Sequence, residues 1–441
     1  MPWLKLVTTE SPSNQSDASS IRSIYIPEYC SVSDFENLFG HQPTVRTYCP
    51  GRLILMGEHI DHHGYCVISM TTHEGTEILA ARNGRSEIRI VSKDPDEQHP
   101  AREATIPLPS SWSGTKTPEW HDYVLCGWKA IMDYLGDVQI GFDMLVHERI
   151  PKSCGAGSTT SLVVASALTT WAICTNEGFG DLTREEFAEL CFISRRYLGA
   201  EGTGVDEAAV ILPYRENGLY VSPTGWRQVS FEPDCAMYVS RPENFSESDI
   251  PNLHHERLAE GRLASKVLVE KLRLETKCCL LRQVQDAAHL NVKKMMDLLE
   301  LLPESASRKE VEEFLGENEV RECLSEDTEH MTSFKLRARA RYVLSEALRV
   351  EDFLNVSQDP VRIGELMGAC SNSVAADYDC GNPAVQDLVR RTFQTKYGGR
   401  ITAWGKRVLA VEDCAHPFDP EGDCLLFTYP APTGAVVRFL D

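Results

Sequence analysis

CPGRLILMGEHIDHHGYCV, residues 49–67, decides how this chain is read. It joins an apolar run, Leu53-Ile54-Leu55-Met56, to Arg52, Glu58, His59, Asp61, His62 and His63, interspersed with Gly51, Gly57 and Gly64. The apolar run has strand character. Polar groups this dense directly beside it are poor core material, because each needs a partner on burial. They suit the wall of a pocket, where carboxylates and imidazoles take hydrogen bonds from adjacent hydroxyls and glycines let the backbone come close to a ligand. Two other readings stay open here. One is a metal site, as in a metal-dependent hydrolase, built from His59, Asp61, His62 and His63, although the spacing matches no standard zinc pattern. The other is a purely structural turn.

Working outward, short apolar runs at 65–70 and 88–91 predict further strands, and 162–174, apolar around most of its circumference, predicts a buried helix. A helix over 185–198 is opened by Thr183, a plausible cap. Strands are expected at 209–212, 218–221 and 235–240, helical structure over 256–302 and 334–354 on either side of a charged segment, and strands again at 408–411, 424–429 and 435–440. Strands and helices mixed in both halves imply an α+β protein of two lobes. The expected division is a Ser/Thr/Asn-rich tail at 1–30, an N-terminal domain at 31–225 and a C-terminal domain at 226–441.

Two more segments carry chemistry. In IPKSCGAGSTTSLVVASAL, residues 150–168, the run Gly155-Ala156-Gly157-Ser158-Thr159-Thr160 immediately precedes the buried helix, and Lys152 adds positive charge. Backbone N–H groups and the helix dipole then converge on one place, a geometry that binds phosphate; a plain N-cap on a flexible loop is the alternative. The P-loop pattern GxxxxGK[ST] is absent. In RRYLGAEGTGVDEAAV, residues 195–210, Asp206 is by itself a cap or a turn former. If the three segments converge, Asp206 beside Arg52 stays ionised and orients or deprotonates a hydroxyl facing a bound phosphate.

The 441 residues suffice for a large core, and their formal charge of −21 argues against nucleic acid or an anionic membrane as a partner. The 15 cysteines are odd in number and include no CxxC pair, which suits free thiols in a reducing compartment. With neither a signal segment nor an 18-residue apolar run, the expectation is a cytoplasmic monomer without a membrane span.

Side by side, CPGRLILMGEHIDHHGYCVISM, IPKSCGAGSTTSLVVAS and GAEGTGVDEAAV resemble, in order and separation, the three motifs of the galactokinase branch of the GHMP small-molecule kinases. EWHDYVLCGWKAI (119–131) and ERLAEGRLASKVL (256–268) look particularly like N-acetylgalactosamine kinase. The resemblance implies a two-lobed α+β fold with the active site in the cleft between lobes. It also implies transfer of the γ-phosphoryl group of ATP, with Mg²⁺, to the anomeric hydroxyl of a galactose-type sugar. It places Glu58, His59 and Asp61 on the sugar hydroxyls, with Thr203 nearby and His254 over the sugar face. Arg52 falls next to the reacting centre and Asp206 becomes the base or positioning carboxylate. Lys152, Ser153, Gly155, Ala156, Gly157, Ser158 and Thr159 would hold the nucleotide, with Thr159 toward the metal.

The chain departs from the family pattern at several places. Arg195 stands where a metal-holding carboxylate is usual, and GGRITAWGKRVLAV (398–411) shortens a glycine motif by about two residues, with Lys406 and Arg407 replacing small residues. Ile54, Glu207, Thr203 and His254 are further substitutions. Together they motivate a second reading, a weak or inactive relative that senses sugar and ATP as a regulator.

Overall fold

The strand expected after Val45 runs twelve residues in the computed structural model, as β1 (Val45–Met56), and belongs to the largest sheet. The structure describes residues 28–92, 102–136, 138–151, 154–199, 202–214, 217–230, 235–242, 253–395, 397–413, 424–428 and 433–440. Most of the expected tail, and Lys152 and Ser153, lie outside them.

In chain order the first lobe contains α1 (Val32–Phe39), β1, β2 (Val67–Arg82), β3 (Glu87–Ser92), β4 (Arg102–Pro107), α2 (Trp120–Leu135), β5 (Phe142–Glu148), α3 (Ser158–Thr175), α4 (Arg184–Ser194), α5 (Val205–Ile211), β6 (Asn217–Ser222) and β7 (Gly225–Ser230). The second contains β8 (Cys235–Ser240), α6 (His254–Leu272), α7 (Leu281–Ala287), α8 (Val292–Asp297), β9 (Ala306–Ser307), α9 (Arg308–Leu315), α10 (Glu317–Cys323), β10 (Ser333–Phe334), α11 (Leu336–Val356), α12 (Pro360–Ala376), α13 (Pro383–Thr395), β11 (Gly398–Thr402), β12 (Arg407–Asp413) and β13 (Cys424–Thr428). The last strand, β14 (Val436–Phe439), returns to the first lobe and pairs with β1.

The large sheet has the order β14-β1-β2-β5-β3-β4, with the β6-β7 hairpin attached to β2; the second lobe is built on β11-β12-β8-β13. All pairs are antiparallel except β3 with β5. Grouped by sheet, the chain crosses the expected 225/226 division twice, because β7 still belongs to the first sheet and β14 comes back to it.

Helix α3 is long and apolar enough to cross a membrane, but 78% of it is buried inside the protein. It packs on β1 and β2 and against α2. Two of its serine hydroxyls are satisfied within that core: Ser161 Oγ donates to Cys49 O at 2.7 Å and Ser166 Oγ to Val124 O at 2.7 Å. Gly127 sets the closeness of α2 and α3, since a Cβ there would lie 2.3 Å from Val163 O. Gly127→Ala is therefore expected to overpack the contact and cost about 1–3 kcal/mol, read as a lower urea midpoint. An unchanged midpoint would mean that the helices slide apart freely.

Three expected elements differ: the helical stretch 256–302 breaks into α6, α7, α8 and a 3₁₀ turn, with residues 273–280 outside any helix. Residues 209–212 form the end of helix α5 and no strand, because a four-residue apolar run carries no periodicity and the preceding Gly204, at φ +80°, starts the helix. The helix expected to Leu198 stops at Ser194 and tightens into a 3₁₀ turn, Arg195–Leu198.

Candidate active site

The site begins with a defect in β1. Pairing with β2 slips between Pro50 and Arg52, and Arg52 N donates instead to Ala156 O at 2.8 Å. Gly51 makes this possible, since a Cβ there would fall 2.6 Å from Ala156 O and 2.7 Å from Thr72 Oγ1. The glycine loop before α3 thus sits directly on the strand. Gly157, at φ +72°, caps that helix, which leaves its first N–H groups facing the cleft.

Three distant stretches meet here. Arg52 Nε donates to Asp206 Oδ1 at 2.8 Å and Arg52 Nη1 to Gly155 O at 2.5 Å. Arg195 Nη2 donates to Asp206 Oδ2 at 3.2 Å and to Thr160 Oγ1 at 2.8 Å, while its Nε donates to Glu207 Oε1 at 2.5 Å. Burial works to raise the Asp206 pKa, but the two guanidiniums outweigh it and hold the carboxyl well below the usual range. Glu207 is only 1% exposed, and burial pushes its carboxyl upward against the pull of Arg195.

Two cavities open on either side of this cluster and share Arg52, Gly155, Arg195, Asp206 and Glu207 as a common wall. One, about 250 Å³, is also lined by Glu58, His59, Asp61, His62, Thr203, His254 and Trp404. The other, about 480 Å³, extends along Gly157, Ser158, Thr159 and Thr160 to Pro118, Tyr123 and Leu198.

Of the residues expected on a sugar, Asp61 accepts from Thr203 Oγ1 at 2.6 Å, and His254, the first residue of α6, stands edge-on to His62 at 5.2 Å. Glu58 lines the same cavity and has partners across the lobes. Its carboxylate takes the buried Arg400 guanidinium, Thr402 Oγ1 at 3.0 Å and Ala403 N at 3.1 Å, so it fastens the first lobe to the β11–β12 turn of the second. His59, at φ +73°, stacks on Trp404 with ring centroids 3.5 Å apart. His63 is buried against Gly261, away from the cavity. The histidine-rich loop is thus split between pocket wall, stacking partner and core. Among the described residues no three of His, Cys, Asp or Glu are grouped to hold a metal ion.

Sequence reasoning missed Trp404 and Arg400. The turn Ala403-Trp404-Gly405 has three consecutive positive φ values, +50°, +57° and +82°, which carries the indole over His59 and beside His254, 4.5 Å away. Its only sequence signal is an aromatic residue next to a turn glycine. The same turn presses on the phosphate loop, where a Cβ on Gly155 would lie 2.8 Å from Ala403 Cβ.

This arrangement matches known proteins along most of its length. The galactokinase galactose-binding signature matches residues 33–82, and the GHMP kinases N terminal domain matches residues 122–213. The chain resembles the galactokinase branch of the GHMP kinases. Galactokinase of Dictyostelium discoideum is 24% identical over 426 residues, covering 84% of this chain and 81% of that protein. Galactokinase of Bos taurus is 24% identical over 378 residues, covering 83% of each. Lactococcus lactis galactokinase, solved with galactose, superposes with a TM-score of 0.69 at 19% identity over 92% of this chain and 98% of that one. Methanococcus jannaschii mevalonate kinase shares the fold at a TM-score of 0.51. Resemblance to this kinase family implies use of ATP.

The Mg²⁺ that the resemblance implies fits the residues present poorly. A hard divalent cation takes about six oxygen ligands. Both Asp206 oxygens and Glu207 Oε1 are already bonded to guanidiniums, and Thr159 and Ser158 contribute only hydroxyls.

The histidines make a separate expectation. Burial, reinforced by neighbouring His62, lowers His63 and His254 to about 3, and burial with His254 beside it lowers His59 well below its ordinary value. The unfolded chain therefore binds protons below about pH 6.5 that the native chain refuses. Stability is full above that pH and should fall as pH drops through 6 and 5, by up to about 1.4 kcal/mol per unit for each histidine. Urea unfolding at pH 7.5 and 5 measures it; equal stabilities would show that these rings titrate normally.

Proposed function

We propose that this chain transfers the γ-phosphoryl group of ATP to the anomeric hydroxyl of galactose or a related hexose such as N-acetylgalactosamine. The observation that carries this reading is the position of Asp206 on the wall shared by the two cavities, held beside Arg52 and the Gly155 turn. The smaller cavity is lined with hydroxyl-binding groups and the indole of Trp404, which suits a hexose. The larger opens onto the N-terminus of α3 and suits nucleotide phosphates.

The sugar oxygen bonds to the γ-phosphorus, the bond from that phosphorus to the β–γ bridging oxygen breaks, and ADP leaves with the electron pair. The hydroxyl proton passes to Asp206. Because its two arginines make Asp206 a weak base, the proton moves late, when the new O–P bond has acidified the hydroxyl; before that, the carboxylate aligns the nucleophile. Arg52 fixes Asp206 and faces the incoming phosphate.

A coupled ADP assay with galactose, N-acetylgalactosamine and other hexoses tests the reading, with the sugar 1-phosphate identified directly. Folded protein that releases no ADP with any of them would remove it. One observation favours a second reading, a sugar and ATP sensor: both Asp206 oxygens are already engaged. Ligand-induced thermal stabilisation without any product would select that alternative.

A further inference from the structure

We propose that Arg195 is a phosphate-binding residue which, with Arg52, supplies the positive charge at the point of phosphoryl transfer in place of a divalent cation held by the protein. The proposal rests on the kinase reading above.

The placement comes first. The Arg195 side chain is 19% exposed, and what it exposes faces the wall common to both cavities, where the γ-phosphate must sit to reach a sugar oxygen. Its Nη2 bond to Thr160 ties it to the first turn of α3, so the guanidinium and the helix N–H groups face one volume. A planar guanidinium there matches the oxygens of a phosphoryl group and needs no dehydration of a metal.

The unused donors come second. Among the described residues, Arg195 Nη1 and Arg52 Nη2 have no acceptor within bonding distance, whereas every other nitrogen of the two side chains has one. Asp206 holds the two guanidiniums on its two oxygens, which leaves those free edges flanking the path of the transferred group.

The anchoring comes third. Glu207, nearly sealed from solvent, accepts from Arg195 Nε and fixes the direction of the side chain. Its second oxygen, Oε2, is buried without a hydrogen-bond partner among the described residues, so Oε1 is the oxygen that holds the arginine. Glu207 is thus a positioning residue. With both Asp206 oxygens and Glu207 Oε1 bonded to guanidiniums, three of the four carboxylate oxygens at this wall already face cations of the protein itself. Arg195 gives no proton; it donates N–H bonds to non-bridging phosphoryl oxygens as charge builds toward the β-phosphate.

Calorimetric titration of the full chain with ATP and with ADP, in Mg²⁺ and in EDTA, tests this. Wild type is expected to bind ATP with affinities that differ by less than about threefold between the two conditions, a gap below one charge-assisted hydrogen bond. Arg195→Gln should weaken ATP binding in EDTA by about ten- to a hundredfold and ADP binding by much less, because the lost contact is to the γ-phosphate. Arg195→Lys should recover part of the difference. Since Arg195→Gln strands the buried Glu207, the double variant Arg195→Gln, Glu207→Gln carries the same measurement on a neutral pair. Wild-type ATP affinity that collapses about tenfold or more in EDTA, or an ATP-to-ADP preference untouched in both variants, would overturn the proposal and leave the kinase reading intact. Absence of ATP binding under both conditions would overturn the two together.

Discussion

Asp206→Asn is expected to lower the rate of phosphoryl transfer by about 10²- to 10⁴-fold, the range that one positioned acid–base group contributes. The substitution keeps the shape of the side chain but removes the charge that aligns the sugar hydroxyl and receives its proton. It also leaves Arg52 and Arg195, both bonded to this carboxylate, with surplus positive charge beside the phosphate site. Nucleotide affinity should therefore stay level or rise while turnover falls. Rates from an ADP assay, set against ATP affinity from calorimetry, separate the two effects. A loss of both in parallel would show that Asp206 holds the site together and does not act on the hydroxyl. Because two guanidiniums hold its pKa below the ordinary carboxylate range, the pH–rate profile should carry no acid limb from Asp206 between pH 8 and 4.

Glu58→Ala should be the most damaging single change to stability. The Arg400 guanidinium it serves has no solvent exposure, and Glu58 also takes Thr402 Oγ1 and Ala403 N. Removing one member of a buried ion pair leaves a charge without compensation, which costs about 3–5 kcal/mol. Urea unfolding should record that loss. Arg400→Ala should behave alike, and the double variant Glu58→Leu, Arg400→Leu should recover much of it, since an apolar pair pays no penalty for an orphaned charge. A loss below about 1 kcal/mol would place the pair among solvent-screened bridges. In Glu58→Ala the turn that carries Trp404 also loses its fastening, so sugar affinity should weaken even where the fold survives.

These two residues differ in how visible they were beforehand. Asp206 stood out because it follows a glycine-rich turn in the third of three ordered motifs, and Arg52 because it sits between a glycine and an apolar strand. Glu58 belongs to the densest polar stretch of the chain and its proximity to the cavity was readable, but its partner was not, because Arg400 lies 342 positions away. Trp404 belongs to the shortened glycine motif, and three consecutive left-handed residues turn its ring toward the sugar side. His63 was a pocket candidate beside His62, and a 3₁₀ turn rotates it into the core. The 209–212 segment suits a strand or a helix end equally in sequence, since a short apolar run fits either kind of backbone.

What the amino-acid order settled by itself is the set of local propensities: glycines where the backbone turns left-handed, an apolar helix after a phosphate-type loop, and motifs whose succession marks the family. Those follow from interactions among neighbours within a few residues. Tertiary structure alone decided which charges face one another: that Arg195 joins Asp206 and Glu207, and that Glu58 closes on Arg400 across the lobes. The energy of a charge depends on its burial and on the partners brought within a few ångströms, and both are products of packing between segments far apart in the chain.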